Sequence, residues 1–315
     1  MRIFYTTDIH GSTLCFKKFL NAGKFYKANV IILGGDITGK MIIPLVEQDD
    51  GSYMGKQFGT TYIAKTEEEL QAVEKKIEDS GYYPYRMSKK EMEEFTADKS
   101  KVEKLFDQLI LERVEKWIRL AEERLRGQNI ACYIQPGNDD RYLIDPILEK
   151  SDVVINTEGK VLEIDAHHEM ISTGHSNITP WKCPRDVPEE KLSEIIEGMV
   201  SQVKNMKNCI FNFHCPPYDT HLDRAPELDE NLTPKLDGSG GFKMIPVGSK
   251  SIRNAIEKYQ PLLGLHGHIH ESKASQYIGR TLCINPGSEY GEGILRGCLI
   301  ELTDKGIKSF IFTQG

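Results

Sequence analysis

The chain has 315 residues, of which 39% are hydrophobic and 28% are charged, so it can bury a sizeable core and is neither disordered nor fibrous. Its formal net charge of −7 lacks the basic excess typical of proteins that bind nucleic acid or anionic membranes, which disfavours both partners. No apolar run approaches the roughly 18 residues of a membrane-spanning helix. The first residues are typical of a strand and not of a signal peptide, so we predict a cytoplasmic protein.

The length corresponds to about two domains of roughly 150 residues each, or to one large domain with an insertion. The seven cysteines are odd in number, scattered and without a C-x-x-C pair, which predicts reduced thiols. In so acidic a chain, a phosphate-bearing substrate would have to be attracted locally. Composition leaves open whether the chain forms a homo-oligomer.

The beginning of the chain predicts a β-α-β unit. Residues 2–7 and 29–33 are strand-like, and Ser12 between them can cap a helix. Asp8 and Asp36 come just after the two strands. Because α/β sheets place their chemistry at the carboxyl ends of the strands, both carboxylates are site candidates.

Residues 41–128 differ in pattern from the residues on either side. Alternation over 58–64 indicates a strand and 67–78 a helix, so we predict a small β-α-β lobe, followed by a long amphipathic helix over 102–125. Aromatic residues cluster between positions 53 and 85, where they either form the core of the lobe or stack on a substrate ring.

The second half of the chain predicts a longer series of elements. Helices are predicted over 189–206 and 251–259, and residues 215–248 between them form a long loop rich in Asp, Pro and Gly. A hairpin is predicted through 298–312. Strand-like runs occur near 130–134, 152–156, 160–164, 168–173, 209–213, 262–265 and 276–284.

Five short polar clusters each follow a strand-like run. In chain order they are Asp8-x-His10, Gly35-Asp36, Gly137-Asn138-Asp139-Asp140, His214 and Gly267-His268-x-His270. Together they offer the ligands that two divalent cations roughly 3.5–4 Å apart require. Cations so close repel each other, so a bridging carboxylate is needed, for which we choose Asp36. Mixed oxygen and nitrogen donors favour Mn, Fe, Zn or Ni over calcium.

These clusters, in this order, resemble the motifs of calcineurin-like metallophosphoesterases, and Asn285-Pro286-Gly287-Ser288 resembles the closing turn of that family. The resemblance implies an α/β fold, a four-layer αββα sandwich into which a small α+β lobe is inserted. Residues 1–40 and 129–315 would form the core. Residues 41–128 would be the insertion, which we predict to form a lid or a partner surface near the metals.

The resemblance also implies a ligand set and an activity. The activity would be hydrolysis of a phosphodiester or an activated phosphomonoester by in-line attack of a metal-bound hydroxide. A metal-binding scaffold without catalysis is the alternative from another class, and a nuclease or a protein phosphatase is less favoured. The implied ligands are Asp8, His10, Asp36 and His270 for one metal, and Asp36, Asn138, His214 and His268 for the other.

The sequence departs from the family pattern at Asp139. The family usually has a histidine there, which is taken to protonate the leaving group or to steady the phosphoryl oxygens. An ionised carboxylate would repel those oxygens, whereas a protonated one could donate a hydrogen bond. Three explanations stay open: Asp139 is the acid, His175 or His221 replaces it, or the leaving group departs without help.

Three residues near the clusters are catalytic or substrate-binding candidates with a structural alternative. Asp140 either assists catalysis or bonds loop amides. Arg141 either clamps phosphate, together with Asn138 and His175, or pairs with Asp139 or Asp140. His175 follows a strand and either faces the cleft or has a core or surface role.

Overall fold

The computed structural model describes residues 1–315, which form seven α-helices and twenty strands. Four helices and six strands form the first part of the chain. The elements there are β1 (Arg2–Thr6), α1 (Thr13–Phe25), β2 (Val30–Gly34), β3 (Ile42–Glu47), β4 (Tyr53–Gln57), β5 (Thr60–Ala64), α2 (Glu67–Asp79), β6 (Tyr83–Met87), α3 (Lys89–Ala97) and α4 (Lys99–Leu125).

The rest of the chain is richer in strands. The elements there are β7 (Ala131–Gln135), α5 (Asp145–Leu148), β8 (Val154–Asn156), β9 (Val161–Glu163), β10 (Glu169–Thr173), β11 (Ser176–Asn177), β12 (Asp186–Val187), α6 (Glu189–Val200), β13 (Cys209–Phe213), β14 (Arg224–Pro226), β15 (Met244–Pro246), α7 (Lys250–Tyr259), β16 (Leu263–Leu265), β17 (Ala274–Ile278), β18 (Thr281–Asn285), β19 (Arg296–Thr303) and β20 (Gly306–Gln314).

Two six-stranded sheets form the body of the protein, in the orders β20-β19-β1-β2-β7-β8 and β17-β18-β16-β13-β10-β9. In the first sheet β1, β2, β7 and β8 are parallel. In the second sheet β10, β13, β16 and β18 are parallel. Parallel strands end at the same edge of a sheet, so the loops after β1, β2, β7, β13 and β16 can meet.

The sheets are stacked between two layers of helices. Ile32 of the first sheet and Ile210 of the second belong to the core between the sheets. On the outer face of the first sheet, Phe16 of α1 stacks on Trp117 of α4 with ring centroids 4.4 Å apart. Helices α6 and α7 cover the outer face of the second sheet. The predicted four-layer αββα sandwich is confirmed.

Alternation along the strands explains why their sequences are almost continuously apolar. Ile3 and Tyr5 of β1 point into the core between the sheets, and Phe4 points to the helices outside. Each side chain of a strand buried on both faces therefore meets apolar partners.

A third sheet, in the order β5-β4-β3-β6, carries the inserted lobe together with α2. The lobe has a small core of its own, which contains Ile43, Leu45, Ala64, Leu70 and Ile77. The parallel pairing of β3 with β6 gives the lobe the β-α-β connection predicted from its sequence, with α2 on the crossover.

Helix α3 was not predicted from the sequence, because it buries none of its residues. It therefore has no apolar stripe. Its start has a capping signal instead, since the Ser88 hydroxyl accepts a hydrogen bond from the Glu91 amide at 3.1 Å.

Helix α4 belongs to the main body by its packing. Its Ile110, Val114 and Ala121 lie in the same core as α1. The helix therefore completes the outer helical layer, although it falls within the predicted insertion, residues 41–128. The domain boundaries themselves stay a prediction.

Two predicted elements differ in extent from the structure. Helix α6 ends at Val200 and is followed by a separate 3₁₀ turn at Met206–Asn208, so the predicted helix over 189–206 is too long. The predicted loop over 215–248 contains the antiparallel pair β14 and β15. This pair of strands is only partly buried, and its sequence has no apolar alternation from which it could be predicted. None of the helices combines the length and the apolarity needed to cross a bilayer.

Candidate metal centre

Loops at the carboxyl ends of five strands bring the predicted ligands together. Asp8, His10, Asp36 and His268 all have positive φ, with values of 54°, 37°, 48° and 66°. Such left-handed backbone costs a residue with a side chain roughly 1–3 kcal/mol and persists only where the surroundings impose it. Four predicted ligands in this conformation therefore indicate that these loops are shaped for a site and not for their own stability.

One group of ligand atoms comes from Asp8, His10 and His270, whose candidate donors lie within 4.8 Å of one another. The Nε2 atoms of His10 and His270 are 3.0 Å apart. The Asp8 Oδ1 atom lies 3.4 Å from His270 Nε2. Two imidazole nitrogens and a carboxylate oxygen thus converge on one point, as the ligands of a divalent cation do.

A second group comes from Asp36, His214 and His268. The Asp36 Oδ1 atom lies 3.4 Å from His214 Nε2, and Asp36 Oδ2 lies 3.6 Å from His10 Nε2 in the first group. The two oxygens of Asp36 therefore face the two groups. This is the placement that the predicted bridging role requires.

Buried donor atoms without partners test whether the site fits a metal. His214 Nδ1 bonds the Gly34 carbonyl oxygen at 3.0 Å, which leaves its Nε2 buried and without a hydrogen-bond partner. Asn138 Nδ2 donates to Asp186 Oδ1 at 2.9 Å, which leaves Asn138 Oδ1 buried and unpartnered. Leaving such atoms unpaired costs about 1–3 kcal/mol each. An outer partner that orients an inner donor is typical of metal ligands, so these residues fit a metal.

The buried carboxylates and the imidazole of His214 shift one another's pKa values. Burial raises the pKa of the Asp8 and Asp36 carboxyls, but neighbouring groups together outweigh burial and hold both pKa values below their usual range. These groups are His214 and His270 for Asp8, and His214, His10 and Lys40 for Asp36. Burial likewise lowers the pKa of His214, and the two carboxylates overcome it and raise this pKa to about 10. The buried carboxylates thus demand positive charge at the site, which a proton or a metal ion can supply.

Asp8 is held in place by hydrogen bonds from three groups, two to its carboxylate and one to its backbone. It accepts a hydrogen bond from the Thr7 hydroxyl at 2.7 Å and from the His268 amide at 3.0 Å. The Ser288 hydroxyl, from the predicted closing turn, donates to the Asp8 carbonyl oxygen at 2.6 Å. The neighbouring Thr7 and two distant loops, those of His268 and Ser288, therefore position one predicted ligand.

Asp139 lies beside Asp36 and forms with Asp36 and His10 a third group, whose candidate ligand atoms lie within 4.8 Å of one another. Its amide donates to Asp36 Oδ1 at 3.0 Å, and its Oδ2 is 3.9 Å from His10 Nδ1. The Lys40 ammonium lies 3.2 Å from the same oxygen. Burial and Asp36 raise the pKa of Asp139, and Lys40 lowers it in part. Lys40 was missed by sequence reasoning, because a single lysine four residues after Asp36 belongs to no motif.

Asp140 bonds the loops that carry other candidates. Its Oδ2 accepts hydrogen bonds from the Ile37 amide at 2.9 Å and the Gly137 amide at 2.7 Å, and its Oδ1 accepts one from the Thr38 amide at 2.8 Å. These contacts match the structural alternative for Asp140. They tie the loop after β2 to the loop after β7.

Arg141 turns away from the metal groups. Its guanidinium pairs with Asp107 at 2.6 Å and with Glu103 at 2.7 Å, both on α4. The alternative in which it pairs with Asp139 or Asp140 is therefore wrong. Sequence reasoning could not find these partners, because they lie in a separate helix more than thirty positions away.

The other histidines lie outside the two metal groups. His175 Nδ1 is 3.1 Å from Glu158 Oε1, and its Nε2 is 3.3 Å from the Tyr142 hydroxyl. His221 is exposed. His266 is fully buried and bonds backbone carbonyls. Neither proposed substitute for the acid contacts a predicted ligand.

The inserted lobe touches the loops that carry the site. The Ser12 hydroxyl donates to the Asp79 carbonyl oxygen at 2.6 Å, and the Gly39 amide donates to the Tyr83 hydroxyl at 3.0 Å. Arg113 of α4 donates to the carbonyl oxygens of Gly11 and Tyr82 at 2.9 and 2.8 Å. The lobe therefore lies close to His10 and Lys40. Its role as a lid or a partner surface stays a prediction.

Comparison with solved structures finds the same fold in other proteins. One crystal structure aligns over 99% of this chain and 98% of its own, with 17% identity and a TM-score of 0.61. The crystal structure of TT1561 of Thermus thermophilus aligns over 99% of this chain and 97% of its own, with 13% identity and a TM-score of 0.52. Both proteins therefore share the α/β sandwich fold of this chain.

Comparison of sequences matches a smaller part of the chain than comparison of structures. No family model matches the chain. The chain is 34% identical to the uncharacterized protein MJ1162 of Methanocaldococcus jannaschii over 179 residues, which are 56% of this chain and 70% of that protein. The chain belongs to the same family as MJ1162.

Proposed function

We propose that the chain is a dinuclear-metal-dependent phosphoesterase that hydrolyses a phosphodiester or an activated phosphomonoester. The observation that carries this proposal is the convergence of two carboxylate and imidazole groups at the strand ends of both sheets. The groups are Asp8 with His10 and His270, and Asp36 with His214 and His268.

Two neighbouring cations fit the donors of the site. One would be held by the first group, and the other by the second group together with Asn138, with Asp36 between them. When bound, the cations would stabilise charge on a phosphoryl group and generate a nucleophile at neutral pH. Mixed oxygen and nitrogen donors suit Mn, Fe, Zn or Ni.

The protein itself contributes orientation. Asp140 ties together the loops of Asp36 and Asn138, and the Gly34 carbonyl oxygen fixes the ring of His214. Ligands held this tightly lose little entropy when a cation or a phosphoryl group binds, which is how a preorganised site accelerates a reaction. The lack of a contact between His175 or His221 and a ligand favours Asp139 or an unassisted leaving group.

The substrate that we propose is a small phosphoester. A net charge of −7 gives nucleic acid little to hold, so the attraction of phosphate has to be local, at the candidate metal centre. The lobe against the His10 loop favours a covered site over the open groove that a protein phosphatase needs. A cytoplasmic location belongs to the same proposal.

The test combines metal analysis with a phosphoester panel. We expect about two metal equivalents per chain after reconstitution with Mn, Ni or Zn, and hydrolysis of bis-p-nitrophenyl phosphate that EDTA abolishes. Asp36→Asn should remove both properties, because this carboxylate faces both groups. Asp165→Asn is the matched control, since Asp165 also contacts an imidazole, that of His168, outside the site.

Three outcomes separate the alternatives. Hydrolysis in the wild type and the control but not in Asp36→Asn would support the proposal. Bound metal without hydrolysis of any ester would favour a metal-binding scaffold. A chain that binds none of the three metals would overturn both.

A further inference from the structure

One lysine faces the candidate metal centre. Lys40 is the single lysine or arginine that forms an ion pair with a carboxylate of the site, at 3.2 Å from Asp139 Oδ2. Every other ion pair of Asp8, Asp36 and Asp139 within 4.0 Å is made by a histidine. The fixed positive charge at the mouth of the site therefore comes from one residue.

The ammonium of Lys40 has donors to spare. An ammonium carries three N–H donors, and Asp139 is its one charged partner. The Lys40 side chain is 46% exposed, so the remaining donors are open to solvent or to a ligand. Arg141 nearby is different, because both of its terminal nitrogens are engaged by carboxylates of α4.

Asp139 is held in position by a hydrogen bond to a predicted metal ligand. Its amide is bonded to Asp36, which anchors the residue next to the predicted bridging carboxylate. Its side chain is 28% exposed and lies between Lys40 and the ring of His10. A carboxylate here would repel a phosphoryl oxygen if it stood alone. With the Lys40 ammonium against it, the two charges of the pair cancel, and the ammonium is the more exposed of the two groups.

We infer that Lys40 binds the phosphoryl group of the substrate through its free N–H donors, and that Asp139 is a positioning residue that holds the ammonium beside the metal centre. This inference rests on the proposed function and deepens it. It gives a reason for the carboxylate where the resembled family usually has a histidine: the cation that contacts the phosphoryl oxygens comes from the neighbouring loop.

The first test measures binding and does not depend on turnover. Inorganic phosphate is titrated by calorimetry into Mn-loaded wild type, Lys40→Met, Lys40→Arg and Lys89→Met. Lys89 is a matched control, because it is 48% exposed and paired with Asp49 at 2.6 Å, outside the two metal groups. We expect phosphate to bind about tenfold more weakly to Lys40→Met, a loss that equals about 1.4 kcal/mol. Lys40→Arg should recover most of the affinity, and Lys89→Met should keep all of it.

Metal content and thermal unfolding of each variant are measured alongside. Lys40→Met with full metal content, a wild-type melting temperature and undiminished phosphate affinity would overturn the inference. Loss of metal from Lys40→Met would overturn it as well, since the residue would then support the ligands and not the substrate.

The second test uses turnover to separate binding from proton donation. Lys40→Met should lower kcat/KM by the same factor for p-nitrophenyl and for alkyl phosphoesters, because a contact to a non-bridging oxygen does not depend on the leaving group. A loss confined to alkyl esters would show that the pair acts on the leaving group instead.

The role of Asp139 is tested by a double-mutant cycle. Asp139→Asn should cost less than Lys40→Met, and the double variant should equal Lys40→Met alone, because a positioning residue acts through its partner. Additive losses would give Asp139 a separate role and overturn that part. If the loaded wild type hydrolyses nothing, the proposed function fails, whereas the phosphate titration still decides whether Lys40 binds phosphate.

Discussion

The loops of the candidate metal centre and the inserted lobe are built in opposite ways. Four of the predicted ligands adopt left-handed backbone, and the contacts that hold them join residues far apart in the chain, such as Asp8 and His268. The lobe relies on a short stretch of sequence, in which β3 to β6 and α2 enclose a core of five buried residues.

The difference shows where each region obtains its stability. The lobe gains free energy from local apolar burial, which a substitution can change without reaching the site. The metal loops carry strain and buried charge, so their geometry depends on hydrogen bonds from several elements at once. Stability and metal binding should therefore be coupled in the loops and separable in the lobe.

Asp140→Ala should give the largest effect on stability. The Asp140 carboxylate accepts hydrogen bonds from three buried amides and from the Thr38 hydroxyl at 2.6 Å. These donors make no other hydrogen bond, so the substitution leaves them unpaired. We expect a loss of about 3 kcal/mol in the free energy of unfolding, measured by urea denaturation. Metal affinity should fall in the same variant, because the loops of Asp36 and Asn138 lose their tie.

The catalytic alternative for Asp140 makes the opposite prediction. A variant that keeps its unfolding free energy and its metal content but loses turnover would assign Asp140 to the reaction and would break the coupling argued for the loops.

Ile77→Ala tests the lobe in the same way. Ile77 is fully buried in the core of the lobe, and truncating a buried isoleucine leaves a cavity. We expect a loss of about 2 kcal/mol in unfolding free energy, at the low end for such a change because a small core can relax. Metal content and kcat should stay near the wild-type values. A parallel loss of metal would show that the lobe and the loops form one cooperative unit.

The convergence of the candidate ligands could be predicted from the sequence because each one follows an apolar strand, and parallel strands bring their ends together. The clusters at Asp8, Asp36 and His214 satisfy this rule. Lys40 and Asp186 do not. They lie at spacings that belong to no motif, and their roles appear only once the fold brings them to Asp139 and Asn138.

The same limit applies to the fold. The parallel strands of the two main sheets are largely apolar and were predicted near their observed positions, whereas α3 and the pair of β14 and β15 bury too little to leave a pattern. The partners of Arg141 on α4 depend on the packing of a helix against a loop. Hydrophobic periodicity carries no information about such contacts.

Asp186→Asn should give the smallest of these effects and sets a limit to the coupling in the loops, because it disturbs one candidate ligand and keeps the hydrogen bonds from Thr179 and Cys183. Asp186 Oδ1 accepts from Asn138 Nδ2, while its Oδ2 accepts from the Thr179 amide at 2.9 Å and the Cys183 amide at 2.9 Å. An asparagine can keep the second set with its oxygen, and then its NH₂ group faces the NH₂ group of Asn138. Two donors cannot bond each other, so the amide of Asn138 should rotate and withdraw its oxygen from the metal.

Loss of an outer partner typically costs about 10–100-fold in metal affinity, and we expect a value near the lower bound because one of several ligands is affected. The unfolding free energy of the metal-free protein should change by less than about 1 kcal/mol. Competition with a chelator gives the affinity, and Asp165→Asn serves as the control. Unchanged affinity would mean that Asn138 is not a ligand. Asp186 is the only group that orients the Asn138 amide, so its loss has to affect a metal bound to the amide oxygen.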